Sequence, residues 1–392
     1  MGCGAADDAR AAPLSMTTLM RVAGTIVPLT IPVEYRFADA VRGEITRPLT
    51  AAPGVSVALA QPAAYIPANR PVERPLRVSL RSAMSDARDV SVSLTLPEGL
   101  TADSASRTVS LPAGGVLEVD FQLRGRLAVG AHAVRARATV AGVAYDSGYV
   151  LVSYDHIRPQ RMYRAAETTL RAVDVIIPPR TTIAYIPGVG DNVVEPLRQL
   201  GLAVTVVEPA ALATTDLSRF SAIVVGPRAY EASEVLVAQN PRLQSFARNG
   251  GTVVVQYGQN EMVRPGILPY PITLVRPADR VTIEEAPVTI LAPASPLLQY
   301  PNRISASDFG GWVQERALYM PREFAPEWRL LLAMNDPGEA ENRGAILVAP
   351  LGRGMYVYTT LALFRQLPAA VPGAARLIVN MIAATQSGGL AQ

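Results

Sequence analysis

Between residues 74 and 140 the chain alternates apolar and polar residues with a period of two. "RPLRVSLRS" (74–82), "DVSVSLTLPEGL" (89–100), "GVLEVDFQLRG" (115–125) and "GAHAVRARATV" (130–140) all follow it. In the last of these, His132, Val134, Ala136, Ala138 and Val140 share one face, and Arg135, Arg137 and Thr139 share the other. Such alternation turns one face of a strand to a core and the other to water. Turns rich in proline and glycine separate the runs: Pro97-Glu98-Gly99, Pro112-Ala113-Gly114-Gly115 and Ala141-Gly142. Short strands punctuated in this way predict an antiparallel β-sandwich. His132 falls on the inward row, where a packed core histidine is expected rather than a ligand.

From Thr181 the rhythm changes to β-α-β. "TIAYIP", "AVTVVE", "SAIVVG" and "TVVVQY" are short, continuous apolar runs, and "VVEPLRQL" and "PRLQSFARNGG" are helical stretches among them. Continuous apolar strands are expected where helices cover both faces of a parallel sheet. "GAILVAPLGRGMYVYTTL" (344–361) predicts two strands around a Gly-Arg-Gly turn, and "PGAARLIVNMIAAT" (372–385) a closing helix with Pro372 near its start. The expected organisation is a tail over 1–30, a β-sandwich over 31–153, a linker over 154–180, an α/β domain over 181–386 and a short tail over 387–392.

A length of 392 residues predicts two domains, and 49% hydrophobic with 18% charged residues predicts a well-buried globular chain. There is no lysine, so all 36 basic residues are arginine, and there are one cysteine and two histidines, His132 and His156. A P-loop and a Schiff-base enzyme both need lysine, and a thiolate zinc site needs several cysteines. A net charge of +3 with scattered arginines gives no nucleic-acid footprint. No apolar run reaches the ~18–20 residues of a membrane span. The first twenty residues show no apolar stretch of signal-peptide type, and Cys3 has none before it.

One motif tests for a dinucleotide. "YIPGVGDNVVEPLRQLG" (185–201) carries Gly188 and Gly190 between a strand and a helix, with Glu208 ending the next strand. The third glycine of the fingerprint is replaced by Val193, and Asp191 would repel a pyrophosphate. The plainer expectation is a tight turn with Asp191 or Asn192 capping the helix. A nucleotide site at Gly188–Gly190 stays as an alternative, and no cofactor is expected.

Several segments resemble the C-terminal accessory region of large bacterial PIG-L/LmbE-type deacetylases. They are "SYDHIRPQ" (153–160), "APVTILAPASPLLQYPNRISASDFGGWVQERALY" (286–319), "MNDPGE" (334–339) and "RQLPAAVPGAARLIVNMI" (365–382). "PVEYRFADAVRGEITRPL" (32–49) resembles the lead-in to their middle sandwich. The resemblance implies an immunoglobulin-like antiparallel β-sandwich followed by a flavodoxin-like, class I amidotransferase-like (ThuA-like) α/β domain. It also implies an exported chain, although the sequence shows no export signal of its own. The family's zinc-binding His-Pro-Asp-Asp motif has no counterpart, since Asp7-Asp8 lack it and the two histidines stand apart. In amidotransferase-like relatives a nucleophile sits at the turn after a central strand. The matching turn, "TVVVQYGQN" (252–260), offers Tyr257, Gly258 and Gln259, with no histidine beyond residue 156.

The resemblance therefore implies a non-catalytic accessory module, partnered by a PIG-L-type deacetylase domain or subunit, or by a glycan. The expected ligand-binding residues are Asp308, Trp312, Gln314, Glu315 and Arg316, the densest mixture of polar and aromatic groups in the chain, with Asn335 and Asp336 on a further turn, "MNDPGE", that could face it. No catalytic residue and no metal ligand is assigned. The competing expectation is a carbohydrate-active hydrolase using carboxylates near Trp312, drawn from Glu284, Glu285, Asp308, Glu315 and Glu323. The structural expectation for the same residues is that Glu315 pairs with Arg316 or Arg322, Asp308 caps a turn and Trp312 fills the core.

Overall fold

The computed structural model describes residues 14–387 except 50, 155 and 158. Cys3, Asp7-Asp8, most of the expected N-terminal tail before Leu14 and residues 388–392 lie outside the described residues. Strand is the dominant element, distributed over several sheets. The chain divides into two compact units: residues 1–62, 71–127 and 132–169, and residues 63–70, 128–131 and 170–392.

In the first unit the predicted alternation produces two antiparallel sheets over one core. One sheet runs in the order Val55–Leu59, Val72–Ser82, Val116–Gly125, Leu100–Ala102. The other contains Ser106–Leu111, Arg88–Thr95 and Gly130–Val140, the last also paired with Val143–Tyr145. Val57, Val78, Leu80 and Phe121 from the first sheet meet Val90, Val92, Ala136 and Ala138 from the second. The outward row stays polar, as where Arg77 meets Asp120 across the strands at 2.8 Å. His132 lies half-buried beside that inward row.

Two expectations are corrected in this unit. Much of the expected tail is a hairpin, Ser15–Val22 paired with Thr25–Pro32. Ala23 and Gly24 both have positive φ (47° and 83°), the turn whose twist matches a two-residue hairpin. Prolines at 28 and 32 interrupt the alternation that would have revealed it. The expected linker also contains strands. Gln160–Ala165 pairs with Ser147–Val152, and Glu167–Val173 carries the chain from the first unit into the second.

The second unit is built on one seven-stranded sheet. Its strands are β1 (Thr182–Ile186), β2 (Ala203–Val206), β3 (Ala222–Val225), β4 (Thr252–Gln256), β5 (Arg329–Leu330), β6 (Ile346–Leu351) and β7 (Gly354–Thr359). They lie in the order β2-β1-β3-β4-β7-β6-β5. The first five in that order are mutually parallel, while β6 and β5 run antiparallel at the edge. Helices α1 (Val194–Gln199), α2 (Glu234–Arg248) and α3 (Pro372–Ile382) cover it. Tyr185, Val224, Val254 and Val357 face a core shared with Leu197 of α1 and Ile378 of α3. Ile186, Ile223, Val255 and Tyr356 face a second core shared with Leu236 and Leu243 of α2. Both faces are thus buried, which is why these strands read as unbroken apolar runs. α2 begins earlier than its apolar pattern shows, at a Ser233 hydroxyl that accepts from Leu236 N–H at 3.2 Å. Pro372 opens α3 as predicted.

Candidate functional site

In an open parallel sheet, ligands bind beyond the carboxyl ends of the strands, at the point where strand order reverses. Here that point lies between β1 and β3, and it is closed. Val189 N–H donates to the Pro227 carbonyl at 2.9 Å, so the loops after the two strands are tied together. A methyl group on Gly188 would collide with the Pro227 carbonyl, and one on Gly226 with the Asp191 carboxylate. Asp191 fills the place a phosphate would take. Its Oδ2 accepts from Gly188 N–H at 2.9 Å and from the Tyr185 hydroxyl at 2.7 Å, and its Oδ1 accepts from Val193 N–H at 3.0 Å. The two glycines therefore serve close backbone approach, and the geometry opposes the nucleotide alternative. Glu208 precedes a short 3-10 turn and caps nothing with its side chain.

The seven predicted ligand residues do not line one cleft. Asp308 is 2% exposed: its carboxylate accepts from Ser305 N–H at 2.8 Å in a capping box and pairs with Arg376 at 2.9 Å. Trp312 is 3% exposed, with its indole N–H on the Asp308 carbonyl at 3.0 Å and its ring against Phe309, so it presents no face for stacking. Arg316 is buried beside that ring and donates to the Phe309 carbonyl at 2.9 Å. Burial pulls its pKa down, with Glu285 acting weakly against that effect, and its Nε has no partner. Asn335 and Asp336 hold a different turn. Burial pushes the Asp336 carboxyl up, but the backbone N–H groups of Ile283 and Thr282 and the Thr282 hydroxyl outweigh it and hold the group below the usual range. Among the carboxylates of the hydrolase alternative, Asp308 and Glu315 are engaged in ion pairs and Glu284 accepts from Gln314 N–H. The structural expectation describes Asp308 and Trp312, but Glu315 pairs with Arg365 and not with Arg316 or Arg322, because Arg316 turns to the Phe309 carbonyl and Arg322 to Asp279.

Gln314 and Glu315 do belong to a site, but one centred elsewhere. Beyond β4, Tyr257 packs its ring on Tyr319 (6.3 Å between centroids) and on Phe364 (5.4 Å). Arg228 N–H donates to the Tyr257 carbonyl at 2.8 Å, and its guanidinium clasps Glu231 through two 2.7 Å bonds. Arg365 lies over the Phe364 ring and holds both Glu315 and the Gln314 amide oxygen. Arg228, Gln314 and Tyr319 all have left-handed backbone, φ 56°, 65° and 50°. Non-glycine residues adopt it only when their surroundings impose it, and such strain gathers at functional sites. Burial pushes the Tyr257 phenol up, Arg228 and Arg365 pull it back and Glu315 adds to the rise; the net result is a hydroxyl held protonated.

The crevice residues come from four separate segments: 228–231, 257, 314–319 and 364–365. Tyr257 was marked by the turn after the central strand, and Gln314 and Glu315 by the density of polar and aromatic residues around Trp312. The rest carry no spacing rule, because the tertiary fold alone brings them together. Among the described residues, no group of three or more His, Cys, Asp or Glu side chains is placed to hold a metal ion. Nor is any described helix long and apolar enough to cross a membrane.

No family model matches the sequence, and no curated protein matches it. Solved structures give low-scoring likenesses. A β-galactosidase from Rahnella sp. R3 is 16% identical with TM-score 0.33, over 55% of this chain and 32% of that one. A β-galactosidase from Bacillus circulans sp. alkalophilus is 10% identical with TM-score 0.32, over 53% and 31%. A FixG-related protein from Vibrio parahaemolyticus is 11% identical with TM-score 0.21, over 30% and 94%. The chain thus spans about a third of the length of either β-galactosidase. Likenesses at these scores say nothing about what it does.

Proposed function

We propose that this chain is a non-catalytic accessory module of the PIG-L/LmbE deacetylase type. It would comprise an immunoglobulin-like sandwich and a flavodoxin-like, amidotransferase-like α/β domain. The five parallel strands run 2-1-3-4-5 in sequence order (β7 being the fifth), the order of flavodoxin-like sheets, and this supports the second assignment. The reading rests on the position after β4, where amidotransferase-like relatives hold a nucleophile. Tyr257 stands there with its phenol held protonated, and the sequence supplies no histidine beyond residue 156 to act as its base. The crevice of Arg228, Tyr257, Tyr319, Phe364 and Arg365 would then serve as a contact surface. Its aromatic centre and its pre-formed arginine pairs suit packing against a deacetylase domain.

The test is to mix the purified chain with a separately expressed PIG-L-type deacetylase domain and follow association by sedimentation velocity. A complex should form, and the double substitution Tyr257→Ala with Phe364→Ala should weaken it at least about tenfold, or 1.4 kcal/mol. Deacetylation of an N-acetyl sugar by the chain alone would refute the reading, as would a complex indifferent to both substitutions.

A further inference from the structure

At the opposite end of the same sheet, the amino ends of β3 and β4 border a groove of about 660 Å³, within the size range of ligand sites. Its apolar surface comes from Phe220, Pro241 and Phe246, and Phe246 lies so close to Gly251 that a methyl group there would collide with the ring. Around these stand Asp216, Ser245, Asn249 and Gln386.

What marks the groove is how little of this polar rim the protein itself uses. Asp216 receives Ser218 N–H and the Ser218 hydroxyl on Oδ1, at 3.0 and 2.7 Å, and among the described residues its Oδ2 has no partner. The Ser218 hydroxyl and N–H hold that carboxyl below its usual range, so it is an ionised acceptor at neutral pH. Among the described residues, the Ser245 hydroxyl and the amides of Asn249 and Gln386 make no hydrogen bond. The groove's one lining cation is committed: the Arg242 guanidinium donates to the carbonyls of Leu212 and Thr215.

We infer that this groove binds a neutral polyhydroxylated ring, a hexopyranose, stacked over Phe246. A ring with one apolar face and a hydroxyl rim matches an aromatic surface bordered by uncommitted acceptors and amides. A phosphate or carboxylate would meet the Asp216 charge, the lining cation Arg242 is already committed, and Arg219, the cation that acts on Asp216, lies over the Phe220 ring and not in the lining. A wholly apolar ligand would strip water from four polar groups and return no hydrogen bonds. The inference goes beyond the accessory reading, uses none of its residues and does not need it.

The experiment is saturation-transfer NMR on the full chain with D-glucose, D-galactose, D-mannose and N-acetyl-D-glucosamine, and with inorganic phosphate and benzoate as controls. At least one hexose should bind with a dissociation constant in the millimolar range, and the controls should not. Ser245→Trp, which places an indole in the groove from an exposed helix position, should abolish the signal. Asn249→Ala, which removes no internal hydrogen bond, should weaken binding about fivefold or more with the fold intact. No transfer from any hexose at 100 mM would overturn the inference. So would a hexose signal that survives Ser245→Trp, or tighter binding of phosphate or benzoate.

Discussion

The two ends of the seven-stranded sheet are built on opposite plans. At the carboxyl ends, several charged groups are committed to one another, although the buried Gln256 Oε1 and Tyr358 hydroxyl have no partner. Asp191 is saturated by Gly188, Val193 and Tyr185, Arg228 is clasped by Glu231, and Arg365 is held by Glu315 and Gln314. At the amino ends, an open groove keeps an ionised carboxylate oxygen, a hydroxyl and two amides without internal partners. In this class of sheet the carboxyl end is where ligands are expected. Here the charged groups at that end are paired with one another, and the other end keeps hydrogen-bonding groups unpaired among the described residues. Position in a fold does not decide function; what the side chains have left to offer does.

The largest effect should come from behind the carboxyl-end crevice. Arg376→Met leaves the Asp308 carboxylate, almost without exposure, with only its Ser305 bonds. An uncompensated buried charge of this kind costs about 3–5 kcal/mol. Chemical denaturation should register that loss with the slope unchanged; a loss under about 1 kcal/mol would mean that this end is less tightly committed than its geometry shows.

Asp191→Ala comes next. It removes three hydrogen bonds accepted by the side chain and leaves two loop N–H groups unsatisfied, a cost of about 2 kcal/mol. It should not create nucleotide binding, because Gly188 and Gly226 remain against their neighbours. Calorimetric titration with NAD is the check, and a measurable affinity would reopen the crevice between β1 and β3.

A smaller effect separates by pH. In Asp336 the N–H groups of Ile283 and Thr282 and the Thr282 hydroxyl outweigh burial and depress the native pKa. The stability this contributes is complete above the unfolded value of about 3.9 and is lost as pH falls through the lower native value. Asp336→Asn should therefore cost about 1 kcal/mol at pH 6 and progressively less toward pH 2. A cost that stays constant with pH would remove the charge from the explanation.

Much of this architecture was legible in the sequence because its signals are periodic and local. Strands such as Val116–Gly125 and Thr252–Gln256 announced themselves by alternation or by an unbroken apolar run, and Pro372 marked its helix start. The hairpin over 15–32 escaped because its side chains face no core and prolines break its rhythm. The crevice escaped for another reason. Sequence density pointed to residues 308–316, yet successive residues there diverge: Trp312 turns into the core while Glu315 reaches Arg365, fifty positions away. A dense stretch of polar and aromatic residues is as often a buried strut as a binding surface. The groove at the amino ends has no motif at all, since Asp216, Ser245 and Gln386 meet only in the folded chain.

The smallest expected effect tests the comparison at its other pole. Ser245 lies on an exposed turn of α2 with its hydroxyl unbonded. If that hydroxyl is free, Ser245→Ala removes nothing the fold uses and replaces a weaker helix former with the best one. Stability should then rise by about 0.5 kcal/mol, seen as a small increase in Tm. Arg228 or Arg365 at the carboxyl end could not behave this way, because each is held by a carboxylate. A loss above about 1 kcal/mol would show that Ser245 is committed to the protein's own structure, and the contrast between the two ends would fail at the residue that faces the groove from the helix.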